Sequence, residues 1–237
     1  MSDPASRGRP RLRPTPSALV ALLLLVPAPS IGVIAAMIVW PGDAGVAVFA
    51  AAKVWMIALP LVWWVAIDRR RPSLSPARMG GFRLGIGLGL LISGLIFLAF
   101  ALAGPRLIDA EHVRAMAQQN GIGTPTRYLL AAVYWICVNS VLEEYVYRWF
   151  IFRKLEVLMP ARLAVVGSAV CFTVHHVIAL KVQFDWPVTV IGSVGVFAGG
   201  AIWSWLYARY QSIWPAYVSH AIVDVAVFAV GWRIIMG

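Results

Sequence analysis

Leu84–Gly104 reads LGIGLGLLISGLIFLAFALAG, twenty-one residues without one ionisable group. Coiled as a helix, a run of that length rises about 30 Å, which is the thickness of a bilayer's hydrocarbon core. Similar runs lie on both sides of it. They are Ser17–Trp40, interrupted by Pro27 and Pro29, then Gly45–Ile67, then a run from near Thr126 to about Phe152, then Leu163–Leu180, Val188–Tyr207 and Ala216–Met236. Membrane-barrel strands alternate every second residue, and these runs do not. The expectation is an all-α, polytopic membrane bundle of about seven helices, within a range of six to eight. Thr124 before Pro125 is a helix start signal for the fourth run.

Composition excludes most other classes. Of 237 residues, 61% are hydrophobic and only 13% are charged, about half the charged share of a soluble domain. Mean hydropathy is +0.80. A soluble domain cannot hide that much apolar surface, and a disordered chain does not contain it. Cys137 and Cys171 both fall inside apolar runs, so they read as packing residues rather than a disulfide. Arg7, Arg9, Arg11 and Arg13 before the core Ala18–Val26 resemble a signal peptide, but the apolar run continues to Trp40, long enough to span.

The net charge of +10 raises the question of nucleic acid, and the placement of the charges answers it. The tail carries the four Arg just named. The connection Asp68–Arg83 carries Arg69, Arg70, Arg71, Arg78 and Arg83; the one after the fourth helix carries Arg153, Lys154 and Arg162; and Arg209 follows the sixth. The alternate loops are poorer: Pro41–Ala44 has no basic residue, and Lys181 stands alone in its loop. The exception, Pro105–Arg127, carries Arg106, Arg114 and Arg127, partly offset by Asp109 and Glu111. This is the positive-inside pattern. It predicts a multi-pass protein of the cell membrane with a cytoplasmic N-terminus, and it assigns the basic residues to orientation and anionic lipid. No nucleic-acid partner is expected. The domain reading is a basic cytoplasmic tail, 1–16, followed by a single transmembrane domain, 17–237, with its catalytic core at 124–237. Ile108–Gln119 reads equally as a short amphipathic surface helix or a plain loop.

Ionisable side chains inside membrane helices are functional candidates by default. The first three helices carry only Lys53, and the second half carries three clusters. In Glu143-Glu144-Tyr145-Val146-Tyr147-Arg148, Glu144 and Arg148 share a face and can pair, whereas Glu143 points about 100° away. Adjacent carboxylates near one cation titrate apart, so that one is free for proton transfer. In Phe172-Thr173-Val174-His175-His176, Phe172 and His176 are one turn apart; of the two His, His175 is the lesser candidate. In His220-Ala221-Ile222-Val223-Asp224, His220 and Asp224 share a face. Counted from the cytoplasmic helix ends, Glu143, His176 and His220 lie about 15, 20 and 6 Å deep. One cavity open to the cytoplasm can hold all three.

The ordered set Glu-Glu-x-x-x-Arg, Phe-x-x-x-His and His-x-x-x-Asn/Asp resembles the CPBP family, the intramembrane proteases related to the type II CAAX-prenyl endopeptidase and to bacteriocin-processing enzymes. The stretch Val196–Asp224 is also similar to that family's sixth and seventh helix region, and the resemblance covers roughly Tyr128 to the C-terminus. It implies an endopeptidase acting on a membrane-associated peptide or protein. It also implies that Glu143 and His176 activate a water, that His220 and Asp224 hold the oxyanion, and that Glu144, Arg148 and Phe172 support them. Ionised Asp224 cannot donate to an oxyanion, so Asp224 is either protonated or an acceptor that orients His220. Metal dependence stays open: the site is metal-free, or it holds Zn through Glu143, His176 and His220, although no His-Glu-x-x-His motif is present. The alternatives are a non-catalytic immunity or scaffold protein on the same fold, and a proton-coupled transporter. The transporter reading predicts two similar halves, which the one-sided charges oppose. Tags at the two ends are expected on opposite sides of the membrane; finding both on one side would sink the seven-span count.

Overall fold

The computed structural model describes residues 16–69 and 73–237. Among these residues every regular element is a helix. Seven are long and apolar enough to cross a membrane: α1 (Ser17–Val39), α2 (Asp43–Ile67), α3 (Phe82–Leu107), α5 (Pro125–Leu158), α6 (Ala161–Gln183), α7 (Trp186–Tyr210) and α8 (Trp214–Met236). The protein is a multi-pass membrane protein. The basic tail lies outside the described residues except for Pro16, and Arg70 and Arg71 also lie outside them.

The eighth helix, α4 (Ala110–Gln119), resolves the ambiguity at Ile108–Gln119. Asp109 caps it by accepting from the His112 backbone N–H at 3.0 Å, as a first-turn cap should. Val113 and Ala117 are buried beneath it. Arg114 Nε donates to the carbonyl oxygen of Ile234 at 3.0 Å, so a cation covers the C-terminal end of α8.

The core is organised around the second half of α5. Every residue from Val146 to Phe152 is buried, Arg148 included, so this stretch is enclosed on all sides. Ala21 and Leu25 of α1, Met56 and Trp63 of α2, Phe172 of α6, Leu206 of α7 and Ala216 of α8 converge on it. By contrast, Leu90, Leu95, Leu98 and Leu102 of α3 face outward, as lipid-facing residues do.

Four helical stretches are wound wider than an α-helix: Ala35–Val39 ending α1, Trp63–Ile67 ending α2, and Trp135–Asn139 and Tyr145–Phe152 within α5. The bonds from Trp40 N–H to Ala35 O and from Asp68 N–H to Trp63 O, both 2.9 Å, are of this five-residue type. In α5 the wide turns flank the short α-helical segment Ser140–Glu144 that carries both motif carboxylates. Such insertions change the angular phase of a helix and occur often at functional sites.

One end of the bundle is fastened by its loops. Ser212 Oγ donates to Ser75 O at 2.7 Å, the Ile213 N–H donates to Ser75 Oγ at 3.0 Å, and Trp214 Nε1 donates to Leu74 O at 2.9 Å. Lys154 Nζ meets Asp68 Oδ2 at 2.6 Å. Arg153 Nη1 donates to Gln211 Oε1 at 3.0 Å, while the Gln211 amide nitrogen donates to Ala208 O at 2.7 Å and closes α7. These bonds explain why α5 runs on to Leu158, past the predicted end near Phe152.

α8, which carries His220 and Asp224, is placed by small residues of α3. Gly85, Gly89 and Ser93, spaced four residues apart, form a stripe against it. A Cβ at Gly85 would strike the Pro215 carbonyl oxygen, and one at Gly89 would lie 2.9 Å from the Ser219 carbonyl oxygen and 3.0 Å from Ile222 Cβ. Ser93 Oγ donates to the Ile222 carbonyl oxygen at 3.1 Å. Small residues every fourth position let membrane helices approach closely where hydrophobic force cannot drive them together. A Cβ at Gly87 would meet nothing within 4 Å. Gly89→Ala is therefore expected to destabilise the detergent-solubilised protein by about 1–3 kcal/mol through overpacking. Gly87→Ala is expected to be neutral or slightly stabilising. Equal melting shifts for the two variants would show that the stripe does not seat α8.

Candidate active site

The motif residues come together on α5, α6 and α8. Glu144 and Arg148 are fully buried. Arg148 Nε lies 3.3 Å from Glu144 Oε2, the predicted one-turn pair. Glu144 has a second partner: His220 Nδ1 lies 2.9 Å from Glu144 Oε1. A carboxylate beside a guanidinium only accepts, so Nδ1–H of His220 donates. Glu144 thus joins α5 to α8, a role beyond supporting its own helix.

Aromatic rings surround the Arg148 guanidinium. Its central carbon lies 4.7 Å from the centre of the Phe172 ring and 5.3 Å from that of Trp203, distances at which a desolvated cation is attracted to a ring face. Arg148 Nη2 also reaches the Gly200 carbonyl oxygen at 3.4 Å. Gly200 brings α7 close: a Cβ there would lie 3.1 Å from Phe172 Cδ1. Trp203 stacks on His220 with ring centres 3.9 Å apart, and its indole N–H donates to Ser219 Oγ at 3.1 Å. The imidazole of His220 is therefore held by its face and by one nitrogen.

The second nitrogen of His220 faces the other carboxylates. His220 Nε2 lies 3.9 Å from Glu143 Oε2 and 3.6 Å from Asp224 Oδ1. Asp224 Oδ2 is 2.5 Å from Ser140 Oγ, which is 2.8 Å from Trp135 O. Ser140 lies one turn before Glu144 on α5, so Asp224 is tied to the same helix as the motif carboxylates.

The α6 histidines approach Glu143. His176 Nδ1 lies 2.8 Å from the Phe172 carbonyl oxygen. A carbonyl accepts only, which puts the proton on Nδ1 and leaves Nε2 with a lone pair. Phe172 packs beside that ring at 4.5 Å, as their one-turn spacing predicted. His175 Nδ1 shares a hydrogen bond with Tyr147 Oη at 3.1 Å.

Glu143, His175 and His176 each offer one ligand atom, all within 4.8 Å of one another. One carboxylate and two imidazoles, each with its Nδ1 already engaged, are donors suited to a Zn site. This trio includes His175, the lesser candidate from sequence, in place of His220, which is not within the same distance of the other donors.

Sequence reasoning left Lys53 unassigned. Lys53 Nζ donates to Asn139 Oδ1 at 2.6 Å and lies 3.9 Å from Glu143 Oε1. A lone intramembrane lysine was the available signal, but its partners are 86 positions away or more. Tyr147, Ser140 and Trp203 were also missed, because in a sequence they look like ordinary helix residues.

Removing one member of a buried ion pair leaves an uncompensated charge, at a cost of about 3–5 kcal/mol. Arg148→Met is expected to lower stability by that amount, and Glu144→Gln in the same chain should restore part of it. A double variant as unstable as the sum of the singles would rule out the pair as the source of the cost. Thermal melts in detergent read the difference.

A family model described as type II CAAX prenyl endopeptidase Rce1-like matches residues 125–226. No curated protein and no solved structure matches the chain. The matched segment contains all seven motif residues, from Glu143 to Asp224. Through this segment the chain is similar to the Rce1-like members of the CPBP intramembrane proteases, and the match supports a CAAX-protease-type intramembrane endopeptidase in general.

Proposed function

We propose that Glu143 and His176 activate a water for hydrolysis of a peptide bond in a membrane-associated substrate. The observation that carries this reading is the division of labour between two adjacent carboxylates. Glu144 is engaged by Arg148 and by His220 at 2.9 Å. The Glu143 oxygens meet Lys53 and His220 only at 3.9 Å, beyond hydrogen-bond reach. Glu143 is therefore the carboxylate with capacity to accept a proton.

The water oxygen attacks the scissile carbonyl carbon while one of its protons passes to Glu143, and the Nε2 lone pair of His176 orients it. The carbonyl oxygen becomes an oxyanion. His220 in its imidazolium form donates Nε2–H to it, with Nδ1–H still directed at Glu144. Glu143 then gives its proton to the departing amine nitrogen, the C–N bond breaks and the carboxylate is regenerated. Asp224, held by Ser140, stands beside His220 Nε2. As an acceptor it orients that imidazolium; protonated, it is a second donor.

Were Zn bound, Glu143, His175 and His176 would hold it, and the ion would supply Lewis-acid polarisation. Metal analysis of pure, active protein decides between the two forms. The family description directs the substrate search to prenylated carboxyl-terminal peptides first.

Glu143→Gln and His176→Ala are each expected to cut turnover at least 100-fold with the protein still folded. The measurement is membrane peptidomics of cells carrying the wild-type or the variant protein. Unchanged cleavage in either variant refutes the mechanism. Asp224→Asn that keeps activity assigns Asp224 the donor role, and complete loss assigns the orienting role.

A further inference from the structure

Lys53 lies ten residues inside α2, about 15 Å from that end of the helix. An ammonium at such depth is expensive unless it is paired. Its partners are both on α5. Asn139 Oδ1 accepts one of its protons at 2.6 Å, and Glu143 Oε1 faces it at 3.9 Å. Asn139 and Glu143 are one turn apart, so the hydrogen bond to Asn139 fixes where the cation stands relative to the carboxylate. The Phe49 ring, 5.5 Å from Nζ, borders another side.

We propose that Lys53, anchored by Asn139, is a positioning residue for Glu143. It draws Oε1 toward α2 and leaves Oε2 directed at His220. This rests on the reading of Glu143 as the proton acceptor. Arg148 does not supply the charge that faces Glu143, because it is 3.3 Å from Glu144. The positioning group therefore comes from a helix outside the matched segment 125–226.

The test uses purified full-length protein in detergent and a quenched fluorescent peptide with S-farnesyl cysteine three residues from its C-terminus. Lys53→Met is expected to lower kcat roughly tenfold or more through misplacement of the base, with KM within about twofold. Lys53→Arg should restore most of the loss. Asn139→Leu should lose part of the activity, and Lys53→Met with Asn139→Leu should be no worse than Lys53→Met alone. If Glu143→Gln is inactive while Lys53→Met keeps wild-type kcat, or changes KM alone, the positioning role is overturned and the protease reading stands. If Glu143→Gln cleaves normally, the protease reading fails, and this inference with it. A second readout needs no substrate. Lys53→Met should shift the melting temperature in the wild-type background and much less in Glu143→Gln. Equal shifts in both backgrounds overturn the proposal.

Discussion

The Glu144 carboxylate, fully buried between Arg148 and His220, is the contact on which the rest of the site depends. Charges in an apolar interior are tolerated only when paired and hydrogen-bonded. Here the pairing is distributed over four helices. Glu144 and Arg148 come from α5, His220 from α8, the Phe172 ring from α6, and Trp203 and the Gly200 carbonyl from α7. Because each partner is needed to make burial of the others affordable, the helices cannot slide independently. A displacement of α8 by one turn would separate His220 from Glu144 and break the hydrogen bond that ties α8 to α5.

That constraint requires close backbones. In membranes, helices gain little from excluding apolar surface, so close packing and polar contacts set their association. The stripe Gly85, Gly89 and Ser93 meets this need between α3 and α8, and Gly200 meets it between α7 and Phe172 of α6. The apolar half of the molecule, read from sequence only as spanning helices, thus has a specific mechanical task. α3 carries no motif residue, yet it supports the helix that carries His220 and Asp224.

Much of this was legible in the sequence, and the reasons differ residue by residue. The seven spans are visible because hydrocarbon demands long apolar runs, and the start of α5 is visible because Thr124-Pro125 is a local signal. Glu144 with Arg148, and Phe172 with His176, are legible because a helix fixes neighbours at four residues. Contacts between helices have no such rule. The bond between His220 and Glu144 joins residues 76 positions apart, and that between Lys53 and Asn139 joins residues 86 apart. His175 was ranked below His176 from its direction on the helix. Its ring nevertheless reaches the Glu143 cluster, anchored by Tyr147. The length of α5 beyond Phe152 was likewise illegible, since Arg153 and Lys154 are held by Gln211 and Asp68 from other segments.

Two adjacent glutamates on one helix begin with the same chemistry, and their surroundings separate them. A helix turns about 100° per residue, which sends Glu144 toward Arg148 and His220 Nδ1 and Glu143 toward Lys53, the α6 histidines and His220 Nε2. The first direction supplies a guanidinium at ion-pair distance from Oε2 and an imidazole N–H bonded to Oε1. The second supplies a lysine ammonium and imidazole nitrogens just beyond bonding distance. A carboxylate needs free lone pairs and a nearby polar surface to take a proton from water. The same rotation that makes one buried glutamate a structural tie leaves its buried neighbour less engaged, which is the difference the proposed mechanism uses.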